Sequence, residues 1–475
     1  MEEGRVNGRV CVIGAGASGI ATAQVLAARG IDFDCFEVGS QVGGVWRYGN
    51  DNGMSSAYRS LHINTSRRQM EFRSFPMPST LPDYPSHWQI ADYFDAFVDH
   101  FGLRERIAFR TEVVKVEPLP GDDSRPSYEV TLRGRNEHDE PSEPEVRRYA
   151  HVVVANGHHW DPRWPEPSYP GADTFPGRQL HAHYYRTPDV LEDRRVLVLG
   201  IGNTACDIAV ESSRVAEHTI LATRRGAHIM PKFLFGRPTD HLTATPLARG
   251  PVLLQQLTMT ALLRLTQGRL SDYGLPEPDH AVLHAHPTVN DELLGRLRHG
   301  DLEVRPNIDR FEGAEAVFTD GSRAPVDTVV YCTGYKVSFP FLDETVVPVH
   351  DNRVDLYRRV VDPGHPGLYF VGLVQVLGAL MPLAEAQAGW VADLVSGTAV
   401  LPPYDRMRHQ IREYDARLRR RYVASKRHTM QVDFHAYLAE IERERRAARV
   451  GGGPDRRGRL LGAPARTRTR PLAGL

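Results

Sequence analysis

Long apolar runs are missing from this sequence. No stretch reaches the roughly 18 apolar residues that a membrane-crossing helix needs. The nearest candidate, residues 252–265, is broken by Gln255, Gln256, Thr258, Thr260 and Arg264. It is expected to be an amphipathic helix, packed on the protein or resting on a partner. No secretion signal is expected either. Met1 to Asn7 is polar and charged, and the apolar run from Val10 is soon cut by glycines. Net charge is nearly absent, −1 over 475 residues, which excludes bulk attraction to nucleic acid or an anionic membrane. Cysteine is scarce. Cys11, Cys35, Cys206 and Cys332 form no Cys-x-x-Cys pair. They read as buried reduced thiols of a cytoplasmic protein, and they count against a thiol–disulfide reductase. His280, His284 and His286 cluster without a carboxylate or cysteine to complete an obvious ligand set, so no metal is expected.

What is present begins with length, enough for two or three domains around a large core. Glycine and proline are plentiful, 41 and 34 residues, which suits many tight turns. One unit occurs twice. Val10–Ile13 reads as a strand, Gly14-Ala15-Gly16-Ala17-Ser18-Gly19 as a turn, Ile20–Arg29 as a helix and Phe33–Glu37 as a second strand. Arg195–Leu199, then Gly200-Ile201-Gly202-Asn203-Thr204-Ala205, a helix through Glu211 and the strand Thr219–Ala222 repeat the pattern. Between the copies lie a Pro- and aromatic-rich stretch, Tyr58–His87, a helix near Ile90–Phe101 and a two-strand region near 107–132. The charged stretch Arg133–Arg148 reads as a turn or solvated loop.

Three strands end in glycine: 149–156 at Gly157, 326–332 at Gly334 and 368–371 at Gly372. They suggest a discontinuous first domain. The expected division is 1–160 for its first part, 161–323 for an inserted second domain, and 324–450 for the return. A helix is expected from near Ala384 and a charged helical region over 405–449. Residues 451–475, with six arginines and little apolar content, read as a disordered tail. The fold class is therefore α/β, with two Rossmann-like dinucleotide-binding domains.

The two glycine turns differ in taste. In the first, Gly14 permits the turn, Gly16 lets backbone approach a pyrophosphate, and Gly19 lets the helix pack closely. The helix N-terminus favours the phosphates. Glu37 can accept from ribose hydroxyls and would repel a 2′-phosphate, so this site prefers FAD or NAD over NADP. In the second, Gly200, Gly202 and Ala205 precede a strand that ends in Thr223-Arg224-Arg225 with no acid. A guanidinium there pairs with a 2′-phosphate and favours NADPH. Two such sites on one chain suggest hydride transfer from NADPH to a flavin.

Further motifs carry a resemblance. Phe175-Pro-Gly177-Arg-Gln-Leu-His181-Ala-His-Tyr-Tyr185, Gly43-Gly44-Val45-Trp46 after Glu37, Asn64-Thr65-Ser66 with Phe75-Pro-Met-Pro78, Tyr331-Cys-Thr-Gly-Tyr335, and Gly372-Leu-Val-Gln375 with Met381-Pro-Leu-Ala-Glu385 all stand in this chain. Together they resemble the flavin-containing monooxygenase family, from about residue 8 to about 440. Tyr184-Tyr185-Arg186 is similar to the branch that oxygenates nitrogen and sulfur rather than to Baeyer–Villiger enzymes. Cys332 stands where the family has Ala, and an arginine-rich tail stands where its animal microsomal members have an apolar anchor.

The resemblance implies an enzyme like an N,N-dimethylaniline monooxygenase. NADPH would reduce FAD, dioxygen would be trapped as a flavin 4a-hydroperoxide, and a small-molecule amine or sulfide would take the oxygen. It implies FAD contacts from Gly14, Gly16, Ala17, Ser18, Gly19, Glu37, Gly44, Val45, Trp46, Asn64, Thr65 and Gln375. It implies NADP contacts from Gly200, Gly202, Asn203, Thr204, Ala205 and Arg224. Asn64 would be catalytic, His181 a link between domains, and the assembly a homodimer. Substrate-facing residues are expected in the insert 233–290 and near 377–382. Ketone oxygenation and a non-catalytic FAD/NADP redox sensor are the competing readings.

Overall fold

The computed structural model describes residues 9–120, 126–136, 140–244, 252–421 and 428–451. Strand β1 (Val10–Ile13), helix α1 (Ala17–Ala28) and strand β2 (Phe33–Phe36) open the chain. Helix α2 (His87–His100) follows, started by a capping box in which Ser86 and Gln89 bond each other's backbone. Next come β3 (Ile107–Ala108), β4 (Thr111–Pro118), β5 (Tyr128–Gly134), β6 (Glu145–Tyr149) and β7 (His151–Val154). The second unit contributes β8 (Arg178–His181), β9 (Arg195–Leu199), α3 (Asn203–Val215), β10 (His218–Thr223), α4 (Val252–Gln267), β11 (Glu303–Pro306) and β12 (Thr328–Tyr331). The chain closes with β13 (Leu368–Phe370), β14 (Gln375–Leu377), α5 (Met381–Val395), α6 (Tyr404–Arg421), β15 (Gln431–Asp433) and α7 (Phe434–Gly451).

Two five-stranded sheets organise these elements. The first has the order β13-β7-β1-β2-β3 and the second β11-β10-β9-β12-β8, and every pairing in both is parallel. Their central strands are apolar, apart from Arg195 at the start of β9, because both faces are covered: all four residues of β1 are buried, as are Val196–Leu199 of β9. Helices α1, α2 and α5 share one core with the first sheet. The antiparallel β4–β6 layer covers its other face, and β5 alternates buried and part-exposed residues as a one-sided sheet should. Two ion pairs hold this unit's ends together. Asp393 of α5, 4% exposed, bonds Arg29 beyond α1 and Arg445 of α7 (Nε at 2.7 Å).

Three sequence expectations change. Residues 328–331 pair with β9 in the second sheet, Val196 facing Thr328, so the return expected near Ala324 comes after Tyr331. The charged stretch 133–148 is not all loop: β5 runs to Gly134, and Glu145–Tyr149 is the edge strand of the antiparallel layer. Its first four residues face water, which is why it carries charge. The charged C-terminal region is two helices split by β15. The expected tail lies, from residue 452, outside the described residues. Helix α4 turns Leu253, Leu254, Leu257 and Leu265 outward. Among the described residues no helix is long and apolar enough to cross a membrane.

Candidate functional site

Both glycine turns sit where parallel strands end. Gly14 leaves β1 at φ +97°, and a methyl there would meet the Ala155 carbonyl oxygen at 2.9 Å. A methyl on Gly19 would lie 1.8 Å from the Gly14 oxygen, so α1 reaches the sheet only without one. Gly16 differs. Its nearest neighbour to a built methyl is Gly44 Cα at 3.7 Å, an ordinary contact. The fold alone does not require glycine at 16, whereas a backbone that receives a pyrophosphate does. Helix α1 begins after Gly16 with no side-chain cap and no acid in its first turn, so its leading N–H groups remain for an anion.

Around this turn stand the other predicted residues. Glu37 is 3% exposed. Its carboxylate accepts from Ala15 N–H at 2.7 Å, from Gly39 N–H at 2.8 Å and from Asn52 Nδ2 at 3.3 Å. Burial raises its pKa, and these hydrogen bonds oppose the rise. Gly44, Val45 and Trp46 form a short 3₁₀ turn against Gly16. Gly372, after β13, has φ +83°, and a methyl there would meet Ser18 Oγ at 2.0 Å. Ser18 therefore lies against Gly372, a joint that comes far later in the chain, and Ala17 before it is the first residue of α1. Gln375 opens β14, half-buried beside Gln431.

The sequence reading missed the residue that fixes Gly372. Gln387 of α5 is fully buried; its Oε1 accepts from Gly372 N–H at 2.8 Å and its Nε2 donates to Tyr437 at 2.6 Å. The Tyr437 hydroxyl in turn donates to the Arg358 carbonyl at 2.6 Å. Only the burial of a polar residue on an apolar helix could have signalled this.

In the second cradle, a methyl on Gly200 would meet the Cys332 carbonyl oxygen at 2.9 Å. Helix α3 starts after Gly202, again with no side-chain cap. Asn203 Oδ1 accepts from Val289 N–H at 2.7 Å, Thr204 is half-buried, and Ala205 is buried. Arg224, just past β10, is exposed and has no hydrogen bond or ion pair among the described residues. A free guanidinium at the carboxyl edge of a parallel sheet suits a 2′-phosphate. Arg225 is less free: with His280 foremost, it helps hold the Asp279 carboxyl below its usual range.

Hydrogen bonds join the first unit to the second. Arg186 Nη2 donates to the Ser55 carbonyl at 2.7 Å and Arg59 N–H to the Arg186 carbonyl at 2.9 Å, while Asp207 of the second unit accepts from Asn290 Nδ2 at 2.8 Å. The Tyr58 hydroxyl also donates to Asp207 on α3. His181 ends β8, fully buried. Its Nδ1 accepts from His183 N–H at 3.0 Å, and burial lowers its pKa to about 4, so the ring is neutral at pH 7. It packs against Trp164 and Tyr335. Asn64 and Thr65 are half-buried. Thr65 Oγ1 stands 3.5 Å from the Gly378 carbonyl, and the Asn64 amide makes no hydrogen bond to the described residues. Among those residues no group of three His, Cys, Asp or Glu is gathered as metal ligands.

The family model described as flavin-binding monooxygenase-like matches residues 7–455. Flavin-containing monooxygenase 5 of Oryctolagus cuniculus is 36% identical over 445 residues, 91% of this chain and 82% of that protein. Flavin-containing monooxygenase 3 of Homo sapiens is 33% identical over 446 residues, with the same two coverages. Among solved structures, S-allyl-L-cysteine S-oxygenase from Allium sativum superposes with a TM-score of 0.68 at 27% identity, covering 92% of this chain and 88% of that one. An open structure of cyclohexanone monooxygenase reaches a TM-score of 0.65 at 18% identity, covering 93% and 98%, and speaks to the fold alone.

Proposed function

This chain belongs to the flavin-binding monooxygenase-like family, and from that premise we propose that it uses NADPH and dioxygen to oxygenate a nucleophilic nitrogen or sulfur of a small molecule. One observation carries the reading. The chain holds two uncapped helix N-termini, each following a strand of a parallel sheet: the first turn is bonded to the buried carboxylate of Glu37, and the second belongs to the unit whose strand β10 is followed by the unpaired guanidinium of Arg224. The first suits FAD and the second NADP. The likeness to an S-oxygenase supports the choice of heteroatom.

Bound FAD supplies the oxygen-activating chemistry and NADPH the hydride. The protein's own part is to bind, orient and shield. Gly14, Gly16, Ala17, Ser18 and Gly19 would hold the FAD pyrophosphate, Glu37 its ribose, and Gly44, Val45, Trp46, Thr65 and Gln375 the rest of that cofactor. Gly200, Gly202, Asn203, Thr204 and Ala205 would hold the NADP pyrophosphate, and Arg224 the 2′-phosphate. The Asn64 amide, uncommitted within the chain, both donates and accepts and is the group offered to the reacting region. His181 is enclosed and neutral at pH 7, and it packs between β8 and Tyr335. We place the protein in the cytoplasm, where its four unpaired cysteines stay reduced.

The test is oxygen uptake by the FAD-loaded protein with NADPH and, in turn, a tertiary amine, a thioether and a cyclic ketone. An N-oxide or sulfoxide is expected. An ester from the ketone alone would establish the carbon-oxygenating reading. No NADPH-dependent uptake with any of the three would leave a redox sensor.

A further inference from the structure

Asn64 stands on the first unit, yet part of what holds its loop comes from the second. The Ser66 backbone N–H donates to Asp240 Oδ2 at 2.6 Å, across 174 residues of chain. Asp240 lies in a helical turn, Thr239–Ala244, within the insert of the second unit. Neighbouring contacts seat that insert on the same stretch. The Tyr84 hydroxyl donates to the Lys232 carbonyl at 2.6 Å, and the Tyr84 ring meets Phe233 edge-on at 5.2 Å. On the insert's own side, Thr239 Oγ1 bonds the Pro231 carbonyl at 2.6 Å, and Lys232 N–H bonds Asp291 at 2.7 Å.

Inside its own unit the Asn64 loop is held by two backbone bonds, Ile63 N–H on the Pro85 carbonyl at 3.1 Å and Arg67 N–H on the Asp83 carbonyl at 2.8 Å, and by longer side-chain bonds from Thr65 to Gly378 and from Arg67 to Pro78. Between them the Ser66 N–H belongs to a residue 1% exposed, whose own hydroxyl has no partner. Without Asp240 that buried donor would be orphaned, and the loop would open to satisfy it.

We propose that Asp240 is a positioning residue for Asn64. Its carboxylate clamps the Asn64-Thr65-Ser66 backbone, so the amide is held in place only while the second unit's insert is docked. The clamp makes the placement of one unit a condition for the working geometry of the other. The proposal rests on the role given to Asn64 above, and its test separates the two.

Five variants of the full chain serve: Asp240→Ala, Asp240→Asn, Asn64→Ala, the double Asp240→Ala/Asn64→Ala, and Ser66→Pro. The first readout needs no cofactor. Hydrogen–deuterium exchange in a peptide spanning residues 62–70 should quicken about tenfold or more in Asp240→Ala, since a charge-assisted bond is lost. It should stay near the original rate in Asp240→Asn, whose amide oxygen still accepts. The second readout is NADPH consumed per thioether oxygenated. Asp240→Ala should waste NADPH, Asp240→Asn should restore coupling, and Asp240→Ala should add no further waste in the Asn64→Ala background. Ser66→Pro, permitted by a Ser66 φ of −60°, removes the donor instead of the acceptor and should also uncouple, which covers a failure of Asp240→Ala to fold. Unchanged exchange in Asp240→Ala, additive waste in the double variant, or a fully coupled Ser66→Pro each overturn the clamp. An Asn64→Ala protein that stays fully coupled overturns the Asn64 assignment instead, whatever the exchange shows.

Discussion

Gly16→Ala separates what the fold needs from what a cofactor needs. The added methyl would stand 3.7 Å from Gly44 Cα, and Gly16 already holds an extended conformation, φ −74° and ψ −174°, open to any residue. Two small effects on the empty protein oppose each other. Reduced freedom in the unfolded chain stabilises by about 0.4–1 kcal/mol. Alanine is a poorer residue than glycine just before a helix, by about 0.5–1 kcal/mol. The unfolding free energy of the FAD-free protein should therefore change by less than about 1 kcal/mol. If the turn receives FAD as proposed, the methyl would occupy the place where backbone meets pyrophosphate. Overpacking a fitted contact costs about 1–3 kcal/mol, which is roughly 5- to 150-fold in affinity. Urea unfolding of the FAD-free protein and fluorescence titration with FAD measure the two quantities separately. Gly19→Ala is the contrast: its methyl meets the Gly14 oxygen at 1.8 Å, and the protein should fail to fold. A Gly16→Ala protein that binds FAD as the original does would refute the placement of the pyrophosphate. One that unfolds would refute the claim that the chain itself tolerates the methyl.

Arg224→Ala should raise KM for NADPH about tenfold and leave that for NADH unchanged. A charge-assisted bond is worth about 1.5–3 kcal/mol, and the exposure of Arg224 places it at the low end; an equal rise for both coenzymes would refute the phosphate assignment. Asp393→Ala should cost about 1.5–3 kcal/mol in urea unfolding, because it removes the buried partner of two charge-assisted bonds from Arg29 and Arg445, whose side chains water still reaches in part. A loss under about 1 kcal/mol would show that the pair is solvated. Stability should also fall as pH drops from 6.5 to 4. Burial lowers His151, His158 and His181 to about 4, so below 6.5 the unfolded chain binds protons that the folded chain does not. Urea midpoints that stay flat over that window in both the original protein and His181→Asn would contradict the burial of these rings.

The sequence was most legible where local chemistry decides the structure. Val10–Ile13 and Arg195–Leu199 are strands at the expected residues, because a short apolar run ending in a glycine turn has few other uses. Sheet membership was not legible. The joints at Gly157, Gly334 and Gly372 look alike in sequence, and only the pairing of Thr328 with Val196 assigns β12 to the second sheet. The edge strand at 145–149 was hidden for the opposite reason: it buries little, so its composition is that of a loop. At the candidate site the glycines and Glu37 could be named from spacing. Gln387 and Asp240 could not, since each acts on the backbone amide of another element, 15 residues away for Gln387 and 174 for Asp240.

Asp393 also dictates an order of events. As the chain is synthesised, β1 emerges first, yet its sheet gains its edge strand only at residue 368 and its ionic clasp only with Arg445. The strands of the second sheet all lie between residues 178 and 331, so that unit can close while the earlier one still waits. The half of the protein made first is thus finished last. A chain cut short before residue 445 has every strand of its second sheet, while the unit built on its first sheet still lacks its clasp.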